Sequence, residues 1–283
     1  MNPPFPTFFI IGASKSGTTS LNRYMAGHPE IAMAEPQEPH QLLGPEYQGR
    51  LDNYRALFAG HQAIRGECSS GYSNYPYNAE IVDRIADTVP NASFVYLVRD
   101  PVDRAVAHYA QHVIKGDEHR PVDEALLPTP DNYYVAASRY ATQLERYLSR
   151  FEFERILVLE QTELRNQRKE TLRRAFEHVG ADPGFWDPAF EYEHNVRTGK
   201  NPQNVRLSGF GRFLRDSSLN AASRRLLPRR TREAVVRRAR SGLGAPVLPA
   251  PSVETRKRLT EALAPETHRI RELLGRKFEA WSV

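Results

Sequence analysis

Hydrophobic residues in this chain fall into short apolar runs separated by longer stretches of helical periodicity. Phe8, Phe9, Ile10 and Ile11 form the first run, the pattern of a strand buried on both faces in a parallel sheet. Residues 93–99 (SFVYLVR) give the clearest strand, β-branched and aromatic and ending in charge. Residues 63–69 (AIRGECS) and 155–160 (RILVLE) repeat the pattern, and residues 30–33 are a shorter extended piece. Between these runs the period lengthens. Leu21, Tyr24 and Met25 follow Thr18; Ile81, Ile85 and Val89 mark a helix over 77–89; Tyr140, Leu144, Tyr147 and Leu148 mark one over 138–151. A helix over 162–180 stops at Gly180. Residues 44–62 read as a polar connector with some helical character. Residues 115–137, with Pro121, Pro128 and Pro130, read as a long irregular loop, a candidate lid. Residues 221–243 read as an arginine-rich helix, 242–251 as a linker, and 252–263 and 266–280 as two last helices. Strands alternating with helices predict an α/β fold, a three-layer parallel sheet flanked by helices. The expectation is one domain over residues 1–283, with a C-terminal helical extension over about 252–283.

The first strand runs directly into GASKSGTTSL, residues 12–21. Gly12 and Gly17 bracket a small polar loop, and the helical pattern begins at Thr18. Strand, glycine-containing loop and helix together form a phosphate cradle, in which backbone N–H groups and a helix N-terminus converge on one anion. A Walker A loop reads G-x-x-x-x-G-K-[ST]. Here Lys15 stands two residues before Gly17 and no lysine follows the glycine, so a nucleoside triphosphatase fits poorly. The order G-x-x-K-x-G-T-T-x-L instead resembles the 5′-phosphosulfate loop of sulfotransferases that use 3′-phosphoadenylyl sulfate (PAPS), of the heparan-sulfate and related bacterial type.

The resemblance runs from residue 8 to 281. RDPVDRAVAHY, residues 99–109, is similar to the family's 3′-phosphate motif R-D-P-x-x-R-x-x-S-x-Y. It implies that Arg99 grips the 3′-phosphate, a task suited to a bidentate guanidinium. Ala107 stands where the family has serine, which removes one hydrogen bond. The stretch after His28–Pro29 keeps Ile31, Glu38 and His40 of H-P-x-I and K-E-x-H-F-F, with Gln37 in place of lysine. Glu38 then matches the family's general base, and His40 is the alternative. Gly66, Glu67, Ser69 and Tyr72 match G-E-[KA]-[ST]-P-x-Y, with Ser70 where proline is usual; Glu67 and Tyr72 are candidates for lining the acceptor site, as is Tyr133. Thr198, Gly199 and Lys200 resemble a late loop that closes over the nucleotide. The implied roles follow: Ser16, Gly17, Thr18, Thr19 and Ser20 hold the 5′-phosphate, Lys15 neutralises charge on the leaving group, and PAPS donates a sulfuryl group to a hydroxyl or, less readily, an amine. No metal is implied.

Composition narrows the field only a little. The net charge is +5, with six lysines against 33 arginines. That balance suits a polyanionic ligand, and equally nucleic acid, but no zinc-finger, RNA-recognition or helix-turn-helix signature accompanies it. In a chain that uses arginine for ordinary positive charge, a lysine inside the loop marks a place for an ammonium. Cys68 is the single cysteine, which excludes an internal disulfide and points to a reducing compartment. No apolar run approaches the ~18 residues of a membrane span, and only MNPPFPT precedes the first strand, so a cytoplasmic protein without a signal peptide is expected. Two rival functions remain: a kinase using ATP and magnesium, and a PAPS- or PAP-binding protein that has lost transfer, the latter suggested by Gln37 and Ala107. The acceptor, whether a small molecule or a glycan, is not written in these motifs, nor is the oligomeric state.

Overall fold

The computed structural model describes residues 5–58, 63–191 and 250–283. The arginine-rich segment and Thr198, Gly199 and Lys200 lie outside the described residues. Five strands, β1 (Phe8–Gly12), β2 (Ile31–Met33), β3 (Ile64–Cys68), β4 (Ser93–Val98) and β5 (Ile156–Glu160), form one sheet in the order β2-β3-β1-β4-β5. All neighbouring pairs are parallel. Each lies within a residue or two of the run that predicted it. Among the described residues the helices are α1 (Thr18–Ala26), α2 (Leu51–Ala56), α3 (Ile81–Thr88), α4 (Pro101–Lys115), α5 (Val122–Ala125), α6 (Tyr133–Ala136), α7 (Tyr140–Leu148), α8 (Gln161–Asn166), α9 (Arg168–Val179) and α10 (Val253–Leu274).

Alternate strand residues feed opposite layers. Phe9, Ile11, Phe94, Tyr96 and Val98 pack against Ile85 of α3 and Leu144 and Tyr147 of α7. Phe8, Ile10, Val95 and Leu97 pack against Leu21 and Met25 of α1 and Leu172 and Phe176 of α9. With both faces covered, the strands need no polar side, which is why they read as continuous apolar runs. Connections leave β1 toward β2 and leave β3 toward β4, so the chain changes direction around β1. A crevice at the carboxyl ends of the strands forms at such a switch point.

Four expectations need correction. The helix over 162–180 is two helices. Glu160 and Glu163 form a reciprocal capping box that opens α8 directly off β5, and Gln167 then leaves helical geometry (φ −130°, ψ 42°) before α9 starts. The two C-terminal helices are one: α10 runs through Pro265, because proline removes a single N–H while the buried stripe Thr255, Leu259, Leu263, Thr267 and Ile270 anchors both halves. Residues 115–137 are not wholly irregular. Val122 and Ala125 bury α5, and the Asn132 side chain caps α6 by accepting from the N–H groups of Tyr134 and Val135. The helix expected from residue 77 begins at Ile81, since the N–H groups of Tyr77 and Asn78 turn back to the Asn74 carbonyl. The C-terminal segment enters the core through Ile270, Phe278 and Trp281. Among the described residues, no helix is long and apolar enough to cross a membrane.

Candidate functional site

A cleft of about 1160 Å³ opens at the carboxyl ends of the strands, and Lys15, Gly17, Thr18, Thr19, Ser20, Glu38, His40, Arg99, Ala107 and Tyr133 all line it. Its centre is the turn between β1 and α1. Gly12 has φ 146°, and a Cβ there would lie 2.0 Å from the Ser73 Oγ, so only glycine lets β1 pass under the segment after β3. Gly17, at φ 103°, is the N-cap of α1, with no side-chain cap and no acidic residue in the first turn. The N–H groups of Thr18 and Thr19 and the positive end of the α1 dipole thus face the cleft without a side-chain cap or an acidic neighbour, as an anion site requires. Lys15 stands beside them in the left-handed region, at φ 73°. Ser16 belongs to the loop, but its side chain is fully buried and does not line the cleft.

Arg99 follows the end of β4. Its guanidinium lies 3.6 Å from the Asp103 carboxylate, and Asp103 is also held at 3.0 Å by Arg256 of α10. Asp100 caps α4 by accepting from the Asp103 N–H at 2.8 Å, and Pro101 opens its first turn. The face of α4 that follows presents Ala107, His108, Gln111, His112 and Lys115 to the cleft. Arg104, one turn earlier on the same face, is fully buried beneath these residues. It donates to Ser138 Oγ at 2.6 Å, to the Ser14 carbonyl at 3.3 Å and to the Tyr134 carbonyl. One buried arginine therefore ties the Lys15 loop to α4 and α6. Its place in R-D-P-x-x-R was visible in the sequence; its neighbours were not.

Glu38 and His40 come from the loop after β2. Both have left-handed backbones, at φ 57° and 50°, so three of the four such non-glycine residues described lie in this cleft. Conformations of this kind cluster where surrounding structure over-determines the chain. The Glu38 N–H bonds the Cys68 carbonyl at 2.9 Å, and its Oε1 accepts from Ser70 Oγ at 2.6 Å. The His40 N–H reaches Ser69 Oγ at 3.4 Å. Burial lowers the pKa of His40 below the ordinary imidazole value, with Glu38 pulling the other way. Gln37, in the place of the family's lysine, reaches Thr19 Oγ1 in α1 at 3.4 Å.

Glu67 and Tyr72 do not line the cleft. They are buried beneath it, and Glu67 accepts from Tyr54 and, at 2.6 Å, from Ser69 Oγ. Burial raises the carboxyl's pKa, and the bonds from Ser69, Tyr54 and Tyr72 offset part of that. The Tyr72 hydroxyl accepts from the Leu42 N–H at 3.4 Å. This network therefore supports the Glu38–His40 loop from below. Sequence reading missed Asn74, a cleft residue whose Oδ1 is buried without a hydrogen-bond partner among the described residues. It also missed Gln161, Arg165 and Arg168, which line the far end beyond β5.

The Sulfotransferase family model matches residues 48–188, a span that includes Arg99, Arg104 and the whole of α4. A solved sulfotransferase from Alicyclobacillus acidocaldarius superposes with a TM-score of 0.67 at 25% identity, covering 99% of this chain and 100% of that one. The chain belongs to the sulfotransferase family. Among named relatives of this sulfotransferase chain, the membrane-associated sulfotransferase kil1 of Dictyostelium discoideum is 36% identical over 110 residues, 37% of this chain and 22% of that protein. The bifunctional heparan sulfate N-deacetylase/N-sulfotransferase 1 of Mus musculus is 28% identical over 237 residues, 70% of this chain and 26% of that protein. The chain thus spans about a quarter of the length of these relatives. The family and the solved neighbour are named for sulfuryl transfer.

Proposed function

We propose that the chain transfers a sulfuryl group from PAPS to a hydroxyl group of a glycan or small-molecule acceptor, within one domain that includes α10. The observation that carries this reading is the sharing of one cleft by Glu38, Lys15, the α1 N-terminus and Arg99. Lys15 and the N–H groups of Gly17, Thr18 and Thr19 would hold the 5′-phosphate, with Ser20 beside them in the cleft, and Arg99 the 3′-phosphate. Bound PAPS supplies an activated sulfuryl group on a phosphate leaving group. Lys15 and the α1 dipole offset the negative charge that grows on the leaving oxygen. Glu38 takes the proton of the incoming hydroxyl, since a neutral hydroxyl is a poor nucleophile and needs a base within hydrogen-bond reach. Ser70 donates to one carboxylate oxygen of Glu38 at 2.6 Å and leaves the other to face the acceptor.

His40 is a second candidate base, because it lines the cleft and its lowered pKa keeps it neutral near pH 7. Thermal melts test the donor: PAP raises the melting temperature by mass action without magnesium. Equal stabilisation by ATP with magnesium, and none by PAP, would favour a kinase. A radiolabel transfer assay separates an active enzyme from a protein that only binds the nucleotide. Full turnover in Glu38→Gln with none in His40→Ala would move the base to His40.

A further inference from the structure

His108 lies on α4, one turn beyond Arg104, and lines the cleft together with Lys15. It is 4% exposed. The rings of His112 and Tyr133 pack with centroids 5.0 Å from its own, and Tyr134 meets it at 5.4 Å. Its Nδ1 lies 3.3 Å from Nη1 of Arg104. A guanidinium has donors only and is not deprotonated in proteins. Nδ1 must therefore accept, and a neutral ring then carries its proton on Nε2. The ring is kept neutral: burial, first, and then Arg104, His112, Lys15 and Lys115 push its pKa down to about 2. Arg104 is itself fixed by Ser138, Ser14 and Tyr134, so the imidazole is oriented by a rigid partner. The remaining polar group of His108 is an N–H in a cleft residue next to Ala107, which offers no donor.

We propose that His108 is a neutral hydrogen-bond donor of this site, its Nε2–H fixed by Arg104 and directed to an oxygen of the anionic group held at Lys15. This rests on reading the Lys15 loop as an anion cradle. The oxygen belongs to the nucleotide's 5′-phosphate. A neutral donor does this without adding a charge that would have to be lost again, and it keeps its proton across the physiological range.

Two-bond ¹⁵N–¹H correlation spectra of the full chain, with His108 assigned through His108→Gln, read the tautomer directly. The expected pattern is a neutral Nε2–H imidazole that does not titrate between pH 5.5 and 8.5 and whose Nε2 signal moves on adding PAP, but not on adding adenosine 3′-phosphate. In calorimetry, His108→Leu should weaken PAP about tenfold, as expected for losing a donor to a charged acceptor. It should leave adenosine 3′-phosphate unaffected, while His108→Gln, which keeps an N–H, retains most of the affinity. Melting curves of both variants check that they fold. An Nδ1–H tautomer, an ordinary titration near pH 6.5, or wild-type PAP affinity in a folded His108→Leu would overturn the inference. Inorganic pyrophosphate is the second probe. A His108 response to pyrophosphate with no binding of PAP would sustain His108 as an anion donor and sink the PAPS reading; no response to either probe overturns His108.

Discussion

The two halves of the cleft are made in different ways. Around Lys15 and Arg99 the chemistry sits on the ends of regular elements: β1 stops at a glycine loop, α1 starts at Gly17, and β4 ends where Asp100 and Pro101 open α4. Around Glu38 and His40 it sits on irregular chain beyond β2 and β3, with both residues in the left-handed region. Each such conformation costs on the order of 1–3 kcal/mol. Contacts from distant segments offset it: the Cys68 carbonyl, Ser69 and Ser70 hold the loop from one side, and Tyr72 beneath holds it from the other. One half is thus specified locally and by backbone, the other by packing between parts of the chain that are far apart in sequence. The consequence is functional. If the halves are separate in role, changes in the first should move nucleotide binding, and changes in the second should move transfer alone.

Glu38→Gln makes the strongest test of that separation. It keeps the size of the side chain and removes its basicity, so turnover should fall by the ~10²–10⁴ that loss of a general base costs, with PAP affinity unchanged in calorimetry. Lys15→Ala should instead weaken PAP binding and turnover together, because in the proposed reading the ammonium would face both the bound phosphate and the charge that develops on it. If Glu38→Gln weakened PAP as much as Lys15→Ala does, the two halves would be one site and the comparison would fail.

The same division explains what the sequence could reveal. The strands were legible because a sheet covered on both faces demands apolar runs, and the Lys15 loop because its glycines and lysine are adjacent in sequence. Helix boundaries were less legible. At Gln167 a single periodic run breaks into two helices with no glycine or proline to mark it, and at Pro265 the buried stripe carries α10 past a residue that reads as a stop. At the site, Glu67 and Tyr72 share a motif with Ser69, yet they point below the cleft and support it. A strand sends alternate residues to opposite sides, but which side becomes the cleft is decided by the loops above. Asn74 and, beyond Ala107, the cleft face of α4 gave no motif signal.

Ser70→Ala probes the half that packing builds. The hydroxyl lies 2.6 Å from Glu38 Oε1, and a hydrogen bond to a charged group is worth about 1.5–3 kcal/mol. Turnover should drop about tenfold, at unchanged PAP affinity, and Ser70→Thr, which keeps the hydroxyl, should retain most of the rate. A drop in PAP affinity of the same size would place Ser70 with the nucleotide instead of the base.

Ala107→Ser has the smallest expected effect and tests the other half by a gain. Ala107 lines the cleft on α4, two turns beyond Arg99. A serine there adds one O–H donor at little cost to the helix, a few tenths of a kcal/mol in propensity. Its competitor is the carbonyl one turn back on α4, to which a helical serine can bond instead of a ligand. If the hydroxyl reaches the 3′-phosphate, PAP should bind several-fold more tightly, while adenosine 5′-phosphate, which has no 3′-phosphate, should bind as before. The pair of ligands makes the result decisive. Equal tightening of both would mean that the serine acts through the helix or the 5′ end, and no change in either would mean that Arg99 and its neighbours already satisfy the 3′ group without it.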